Sequence, residues 1–146
     1  MTTLEKLKKL EKSGEYLFHG SDTDIERFEP KQAHTIKGGK KFLDGKPAVF
    51  ASPHADYAIF MAIVNKKNFP KGYRARVDFD GDPLLFFATK DTLAQMTGNE
   101  QGFVYVFTKE DFEERNHAEF VSYKEVVPLM KIRVYRKDFL PSIEVL

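Results

Sequence analysis

The sequence predicts an α+β domain that contains more sheet than helix. Apolar and polar residues alternate over several short segments, a pattern typical of half-buried strands. Few segments show the three-to-four-residue spacing of an amphipathic helix. The 146 residues contain no repeat, no low-complexity tract and no change in composition that would divide them. We therefore expect one domain over residues 1–146.

Residues 2–13 are expected to form an amphipathic helix. Thr2 and Glu5 match a capping box, and leucines recur at helical spacing on one face. Gly14 suits the left-handed position that ends a helix. The leucines of this face are Leu4, Leu7 and Leu10.

A short strand and a long polar segment are expected next. The strand covers Tyr16 to Phe18 and ends at His19-Gly20-Ser21. Residues 20–47 are polar and rich in Gly and Pro, which predicts a long ordered loop anchored by Ile25 and Phe28. Loops of this length are usually functional, so this one is a candidate lid.

A strand over residues 48–51 is expected to lead directly into a second helix. Ser52 would cap this helix and Pro53 would take its first position. The helix would run through Val64, because apolar side chains recur there at helical spacing. These side chains are Tyr57, Phe60, Met61 and Val64.

The rest of the chain is predicted to be mostly strands. A turn is expected at Asp80-Gly81-Asp82-Pro83, and a short helix over residues 90–96. The strands are expected at residues 73–79, 84–87, 103–108, 119–122 and 129–136.

The composition excludes several classes of protein. Lys+Arg 23 and Asp+Glu 22 give a net charge of +1, which argues against a large surface for nucleic-acid phosphates. Cys 0 excludes disulfides and thiolate metal sites. No apolar run approaches the ~20 residues of a membrane span, and the N-terminus lacks a signal-peptide pattern. We therefore expect a cytoplasmic protein with no membrane partner.

Three short patterns contain the side chains best suited to chemistry: His19-Gly20-Ser21, Val49 to Tyr57, and His117-Ala118-Glu119. Taken singly, each is more often structural. A strand-end histidine usually has a structural partner, a helical aromatic usually lies in a core, and a strand carboxylate usually lies at a rim.

Familiar metal and phosphate motifs are missing, so we expect no metal. His117-Ala118-Glu119 has the H-x-E form of zinc deaminases, but these also require two cysteines. Gly38-Gly39 lacks the phosphate-binding loop pattern, and no serine lies in a nucleophile elbow.

In this order, the three patterns resemble the ADP-ribosyltransferase superfamily, in the His-Tyr-Glu branch that includes diphtheria-like toxins and poly-ADP-ribose polymerases. His19-Gly20-Ser21 matches the His-Gly-Ser or His-Gly-Thr of that branch. Val49-Phe50-Ala51, followed by Ser52 to Tyr57, is similar to its strand-to-helix segment. Ala118-Glu119-Phe120 is similar to the strand that begins with the catalytic glutamate. The resemblance covers about residues 16–122.

The resemblance implies a small split sheet, mainly antiparallel, and an enzyme that uses NAD. The enzyme would be a mono-ADP-ribosyltransferase or an NAD glycohydrolase, and it would cleave the bond between nicotinamide and ribose. His19, Tyr57 and Glu119 would be catalytic, with His19 on the adenosine ribose, Tyr57 stacked on nicotinamide and Glu119 on the ribose 2′-hydroxyl. The Gly20 backbone would pair with the nicotinamide amide. The implied NAD-binding residues are His19, Gly20, Ser21, Phe50, Ala51, Ser52, Tyr57 and Phe60.

The sequence also departs from the family pattern. Val49 stands where the polymerases have a tyrosine that forms one wall of the nicotinamide slot. The slot would then be one-sided, or Phe60 or another aromatic would replace the wall. His117 lies two residues before Glu119, where arginine-directed transferases have an acidic or amide residue, so arginine modification is not expected.

Other functions stay open at this stage. An RNA 2′-phosphotransferase shares the scaffold but needs a basic Arg and His pair, and Arg74 and Arg76 form the one close arginine pair. A domain that binds a nucleotide or a protein without turnover would fit Val49, and a purely structural protein is the default. The acceptor could be a protein, a nucleic acid, a small molecule or water. In the candidate lid, Lys37, Lys40 and Lys41 could face a diphosphate.

Overall fold

The computed structural model describes residues 1–37 and 40–146, and within them the side chains outside residues 32–45. It is an α+β structure, which confirms the predicted class. The helices are α1 (Thr3–Ser13), α2 (Ala55–Ile63) and α3 (Lys90–Ala94). The strands are β1 (Tyr16–Ser21), β2 (Lys31–Lys37), β3 (Lys40–Ala51), β4 (Ala75–Asp78), β5 (Leu85–Ala88), β6 (Gln101–Thr108), β7 (Glu113–Asn116), β8 (Glu119–Ser122), β9 (Met130–Tyr135) and β10 (Ile143–Val145).

Two antiparallel sheets meet at a split. One has the strand order β1-β6-β9 and the other the order β2-β3-β8-β7. Phe18 of β1 and Ser52, just after β3, exchange backbone hydrogen bonds of 2.7 and 2.8 Å. No second backbone bridge between β1 and β3 occurs in the described residues. The β1 and β3 segments thus share one backbone bridge in the described residues, and a cavity lies beside it.

A third sheet covers the other side of α2. Its strand order is β10-β5-β4, with β10 parallel to β5 and β4 antiparallel to it. Phe86 of this sheet lies 5.0 Å from the ring of Phe60 in α2. Helix α2 is therefore enclosed between two sheets, which explains why six of its nine residues are buried.

Helix α2 lies unusually close to the first sheet, because two glycines face it. A Cβ atom on Gly20 of β1 would collide with the carbonyl oxygen of Ala58, and one on Gly102 of β6 with that of Ala62. Glycine is the residue that allows such backbone approach. These two positions fix the height of α2 above the sheet.

The core has two parts, one on each face of the β1-β6-β9 sheet. The part on the α2 side contains residues from α1, α2, β5, β6 and β9, including Leu7 and Phe69. The part on the opposite side contains the β3 and β8 side chains and Tyr105, whose hydroxyl donates to the Thr23 carbonyl at 2.7 Å and accepts from the Ile25 amide at 2.6 Å. Burial of apolar surface on both faces holds the two layers together.

Helix α1 caps α2. The Glu11 carboxylate accepts a 2.7 Å hydrogen bond from the Ala55 amide at the start of α2. Lys8 reaches Asp56 at 2.8 Å. Burial lowers the pKa of Lys8, but the hydrogen bond and charge of Asp56 outweigh it and raise the pKa above its ordinary value. A negative charge at a helix N-terminus is favourable, so α1 stabilises the start of α2.

The N-terminal predictions are confirmed. Thr2 is the N-cap of α1, and its hydroxyl accepts from the Glu5 amide at 3.1 Å. Gly14 ends the helix at φ 74°. The strand predicted for Tyr16 to Phe18 extends as β1 to Ser21.

The loop predicted for residues 20–47 is confirmed only over residues 22–30, where Ile25 and Phe28 pack against the core as expected. The rest of the prediction is wrong, because residues 31–47 contain β2 and most of β3, which pair from Lys31↔Ala48 to Lys37↔Lys40. This segment has no clear alternation of apolar and polar residues, so its pairing was not visible in the sequence. The side chains of Lys37, Lys40 and Lys41, and the Gly38-Gly39 pair, lie outside the described residues.

The second helix begins later than predicted. Its N-cap is His54 rather than Ser52, because the Ser52 backbone is held in the bridge to Phe18. The Ser52 hydroxyl instead accepts from the His54 amide at 3.1 Å. The helix ends at Ile63, one residue before the predicted end.

The later elements are largely as predicted. The strand at residues 119–122 is confirmed in full, and the other predicted strands match within about three residues at each end. The short helix is α3, capped by Thr89. Strands β7 and β10 were not predicted. No helix in the described part of the chain is long and apolar enough to cross a membrane.

We predict that Gly20→Ala lowers the free energy of unfolding by about 2–3 kcal/mol, because its Cβ would push α2 off the sheet. Gly81→Ala is the matched control, since a Cβ there meets nothing closer than 3.7 Å. Urea denaturation of both variants measures the difference. Equal stability of the two would contradict the close packing at Gly20.

Candidate active site

A cavity of about 520 Å³ opens beside the single bridge between β1 and β3. Four segments enclose it: the end of β1, the end of β3, the first turns of α2, and the β7–β8 hairpin. Phe79, just after β4, closes one side. The lining residues are Phe18, His19, Gly20, Phe50, Ala51, Ser52, Tyr57, Ala58, Met61, Phe79, Arg115, Asn116, Ala118 and Glu119.

His19 spans the split with its side chain. Its Nδ1–H donates a 2.7 Å hydrogen bond to the carbonyl oxygen of Phe50. Because a carbonyl only accepts, Nδ1 carries the proton and Nε2 offers a lone pair. The Phe28 ring lies edge-on at 5.0 Å from the imidazole.

The electrostatics of His19 favour the neutral ring. Burial lowers its pKa below the ordinary value, the Phe50 carbonyl raises it in part, and the positive charge of Lys31 lowers it further. Neutral imidazole at pH 7 makes Nε2 an acceptor for a ligand hydroxyl.

The backbone of Gly20 points toward the cavity. In an antiparallel strand the N–H and C=O of alternate residues point to the same edge. The backbone of Phe18 bonds to Ser52, on the β3 side, so that of Gly20 also faces the β3 side. One donor and one acceptor are thus available at the cavity wall.

Aromatic rings form the inner walls. Tyr57 lies in the first turn of α2, and its ring contacts Phe79 edge-on at 5.0 Å. Phe50 of β3 also lines the cavity. Burial, and then the charge of Glu119, raise the pKa of Tyr57 above its ordinary value. Its phenol is therefore protonated at neutral pH, and it lies near the carboxylate.

Glu119 is the first residue of β8 and lies at the cavity mouth. Its carboxylate is 3.4 Å from the Arg115 guanidinium. The register of β7 against β8 shifts between Glu114 and Asn116, leaving Arg115 in a bulge. Bulges redirect a side chain locally, and this one directs Arg115 into the cavity lining beside Glu119.

The structure brings most of the predicted site residues together. His19, Tyr57 and Glu119 line one cavity, as do the implied NAD-binding residues Gly20, Phe50, Ala51 and Ser52. Ser21 does not line this cavity. It lines a neighbouring one, which His19 and Phe50 also border.

Phe60 is a correction to the predicted set. Its side chain is buried in the core against Phe86 and Phe139, at ring distances of 5.0 and 5.4 Å. Helical spacing does not indicate which side of a buried helix a residue takes, and Phe60 takes the side away from the cavity. Phe79 is the additional aromatic of the cavity, while Val49 is buried in the opposite part of the core.

The other candidates lie outside the cavity lining. His117 is exposed, and its Nε2–H donates to the Phe79 carbonyl at 3.2 Å. Arg76 lies over the Phe87 ring at 4.6 Å, in a separate shallow groove. The arginine pair considered for a phosphotransferase therefore does not reach His19.

Sequence reasoning missed Phe79, Met61 and Arg115 as lining residues. Met61 lies one helical turn after Tyr57, and this spacing was a usable signal. Phe79 and Arg115 reach the cavity through a turn and a bulge, which leave no local pattern.

The neighbouring cavity has a volume of about 490 Å³, and its mainly apolar lining includes the basic residues Arg27 and Lys31 and the acidic residues Asp22 and Glu29. Arg27 pairs with Glu125 at 3.0 Å, whereas Lys31 lies close enough to His19 to lower its pKa. His19 and Phe50 border both cavities, so the two cavities adjoin at the hydrogen bond between these residues.

Comparison of the chain with protein-family models, with curated proteins and with solved structures finds no significant match in any of the three. In the described residues, no group of three or more His, Cys, Asp or Glu side chains could hold a metal ion.

We predict that the stability of the protein falls as the pH is lowered below about 6.5, the ordinary pKa of histidine. Burial lowers the pKa of both His19 and His54 in the folded state. The unfolded chain then binds protons that the folded chain does not, so stability is fully present above pH 6.5 and lost below it. Urea denaturation between pH 5.5 and 7.5 measures the slope. His19→Gln should reduce it, and an unchanged slope would contradict the neutral ring.

Proposed function

We propose that the protein cleaves NAD⁺ at the bond between nicotinamide and ribose, as a mono-ADP-ribosyltransferase or an NAD⁺ glycohydrolase. One observation carries the proposal: His19, Tyr57 and Glu119, from three distant parts of the chain, line one cavity at the split between two sheets. The small split sheet, the resemblance of the three motifs and their order along the chain support the same assignment.

The nicotinamide end of NAD⁺ suits the inner part of the cavity. The N–H and C=O of Gly20 would pair with the carboxamide, which has one acceptor and one donor side. Tyr57 would stack on the ring, and Phe79 supports Tyr57 from the side. An aromatic face contributes roughly 0.5–2 kcal/mol to binding a cation, and the nicotinamide of NAD⁺ is a cation.

The adenosine end suits the neighbouring cavity. His19 Nε2 would accept a hydrogen bond from a hydroxyl of the adenosine ribose, since Nδ1 is committed to Phe50. Lys31 lines this cavity, and its positive charge lowers the pKa of His19. The same charge would favour binding of the diphosphate. A dinucleotide bent around the His19–Phe50 hydrogen bond would occupy both cavities.

Glu119 would provide the chemistry. When the bond breaks, its electron pair leaves with nicotinamide, and the ribose becomes an oxocarbenium-like cation. A carboxylate that holds the 2′-hydroxyl favours this developing positive charge. Water or an acceptor hydroxyl then attacks the same carbon, and Glu119 is placed to take the proton released. In the hydrolysis reaction, NAD⁺ and water give ADP-ribose, nicotinamide and a proton.

We predict that Glu119→Gln lowers nicotinamide release from NAD⁺ by about 10²–10³-fold, the loss usual for one electrostatic group. Chromatographic detection of nicotinamide measures the rate. Glu144→Gln is the matched control, because Glu144 is exposed on β10 and does not line the cavity. Release that is unchanged in Glu119→Gln would exclude the assigned role, and no release by the wild type with any acceptor would exclude the proposed reaction.

We predict that Tyr57→Ala raises the KM for NAD⁺ about tenfold, within the range expected for loss of a cation–π contact. Tyr57→Phe keeps the ring and removes only the hydroxyl, so its KM should stay within about twofold of the wild type. Initial rates over a range of NAD⁺ concentrations separate the two parameters. Equal KM values for the Ala and Phe variants would show that stacking on Tyr57 does not hold the donor.

A further inference from the structure

Arg115 stands out among the cavity residues because it adds a positive charge to a cavity whose proposed donor also carries one. Its guanidinium carbon lies 6.0 Å from the centroid of the Phe50 ring, and its Nη1 is 3.4 Å from the Glu119 carboxylate. A guanidinium is a planar, delocalised cation that favours aromatic faces and carboxylates. The cavity thus already contains a planar cation of its own.

The two groups that hold Arg115 are also two groups that the donor would use. Glu119 would face the positive charge that develops on the ribose, and Phe50 lines the same cavity. Arg115 and a cationic ligand therefore compete for one carboxylate and repel each other at short range. A neutral ligand of the same shape meets no such repulsion.

The backbone of β7 determines the direction of the exposed Arg115 side chain. The register shift in β7 turns Arg115 across the hairpin toward Glu119. The neighbouring residues Glu113 and Glu114 pair regularly with Val121 and Phe120. From β7, the cavity lining therefore includes only Arg115, in the bulge, and Asn116, at the strand end.

We infer that Arg115 is a specificity-determining residue whose guanidinium competes with a cationic ligand for the Glu119 carboxylate, so that a planar cation binds tightly only when Arg115 is displaced. The inference rests on the proposed function for the identity of the cation, which is the nicotinamide ring of NAD⁺. The cavity then binds planar cations as a class, and Arg115 weakens their binding.

Binding of a charged and a neutral dinucleotide tests this role. The probes are carba-NAD⁺, whose glycosidic bond is not cleaved, and NADH, whose nicotinamide ring is uncharged. We predict that Arg115→Gln lowers the Kd for carba-NAD⁺ about threefold to tenfold and leaves the Kd for NADH within about twofold. Arg115→Lys keeps the charge and should stay close to the wild type. Isothermal titration measures all of these constants.

The matched control is Arg133→Gln. Arg133 is also exposed and also lies over an aromatic ring, Phe103 at 4.6 Å, but it does not line the cavity. It should change neither Kd. If Arg115→Gln weakens both dinucleotides, Arg115 binds their diphosphate and the inference is overturned. An equal gain for both dinucleotides also overturns it, because charge would not be the cause.

A third probe separates this inference from the proposed function. The 1-methylnicotinamide cation carries the charged ring without the rest of the dinucleotide. If no dinucleotide binds any variant, NAD⁺ is not the ligand and the proposed function fails. A gain in affinity for 1-methylnicotinamide in Arg115→Gln then still supports competition between Arg115 and a cation, and the absence of that gain overturns it.

Discussion

The close approach of α2 to the β1-β6-β9 sheet is the constraint on which the site depends. Gly20 and Gly102 permit it, since any side chain at either position would strike a carbonyl oxygen of the helix. With α2 at this height, Tyr57 lines the cavity beside the end of β1. The backbone N–H and C=O of Gly20 also face the β3 side, where the cavity lies. One glycine therefore serves both the packing of the helix and the cavity wall.

The side chain of His19 connects β1 to β3 where backbone pairing between the two segments has ended. Next to the Phe18–Ser52 bridge, its imidazole donates a hydrogen bond to the Phe50 carbonyl at 2.7 Å. This bond limits the width of the split and orients the ring. Both cavities border this bond, which also commits Nδ1, so that Nε2 is left for a ligand. A structural role for Nδ1 of His19 is thus compatible with a ligand-binding role for Nε2.

The sequence was most informative where the determinants are local. Thr2, Gly14 and the strand that begins at Glu119 were all predictable from caps and alternation. The β2–β3 pairing was not, because it depends on contacts between segments that lack a strand pattern. Phe60 shows why helical spacing alone did not predict the cavity residues. Because α2 is buried against two sheets, apolar residues at helical spacing occur on both its core side and its cavity side.

The two sides of the cavity differ in how they are built. His19, Gly20 and Tyr57 belong to β1 and α2, which are anchored in the core. Glu119 and Arg115 belong to the β7–β8 hairpin, whose outer strand is exposed along its whole length. In the proposed function, the packed side would therefore recognise the shape of the ligand, and the charges at the sheet edge would respond to its cation. A cationic ligand would exchange partners with Arg115 there without disturbing the glycine contacts beneath α2.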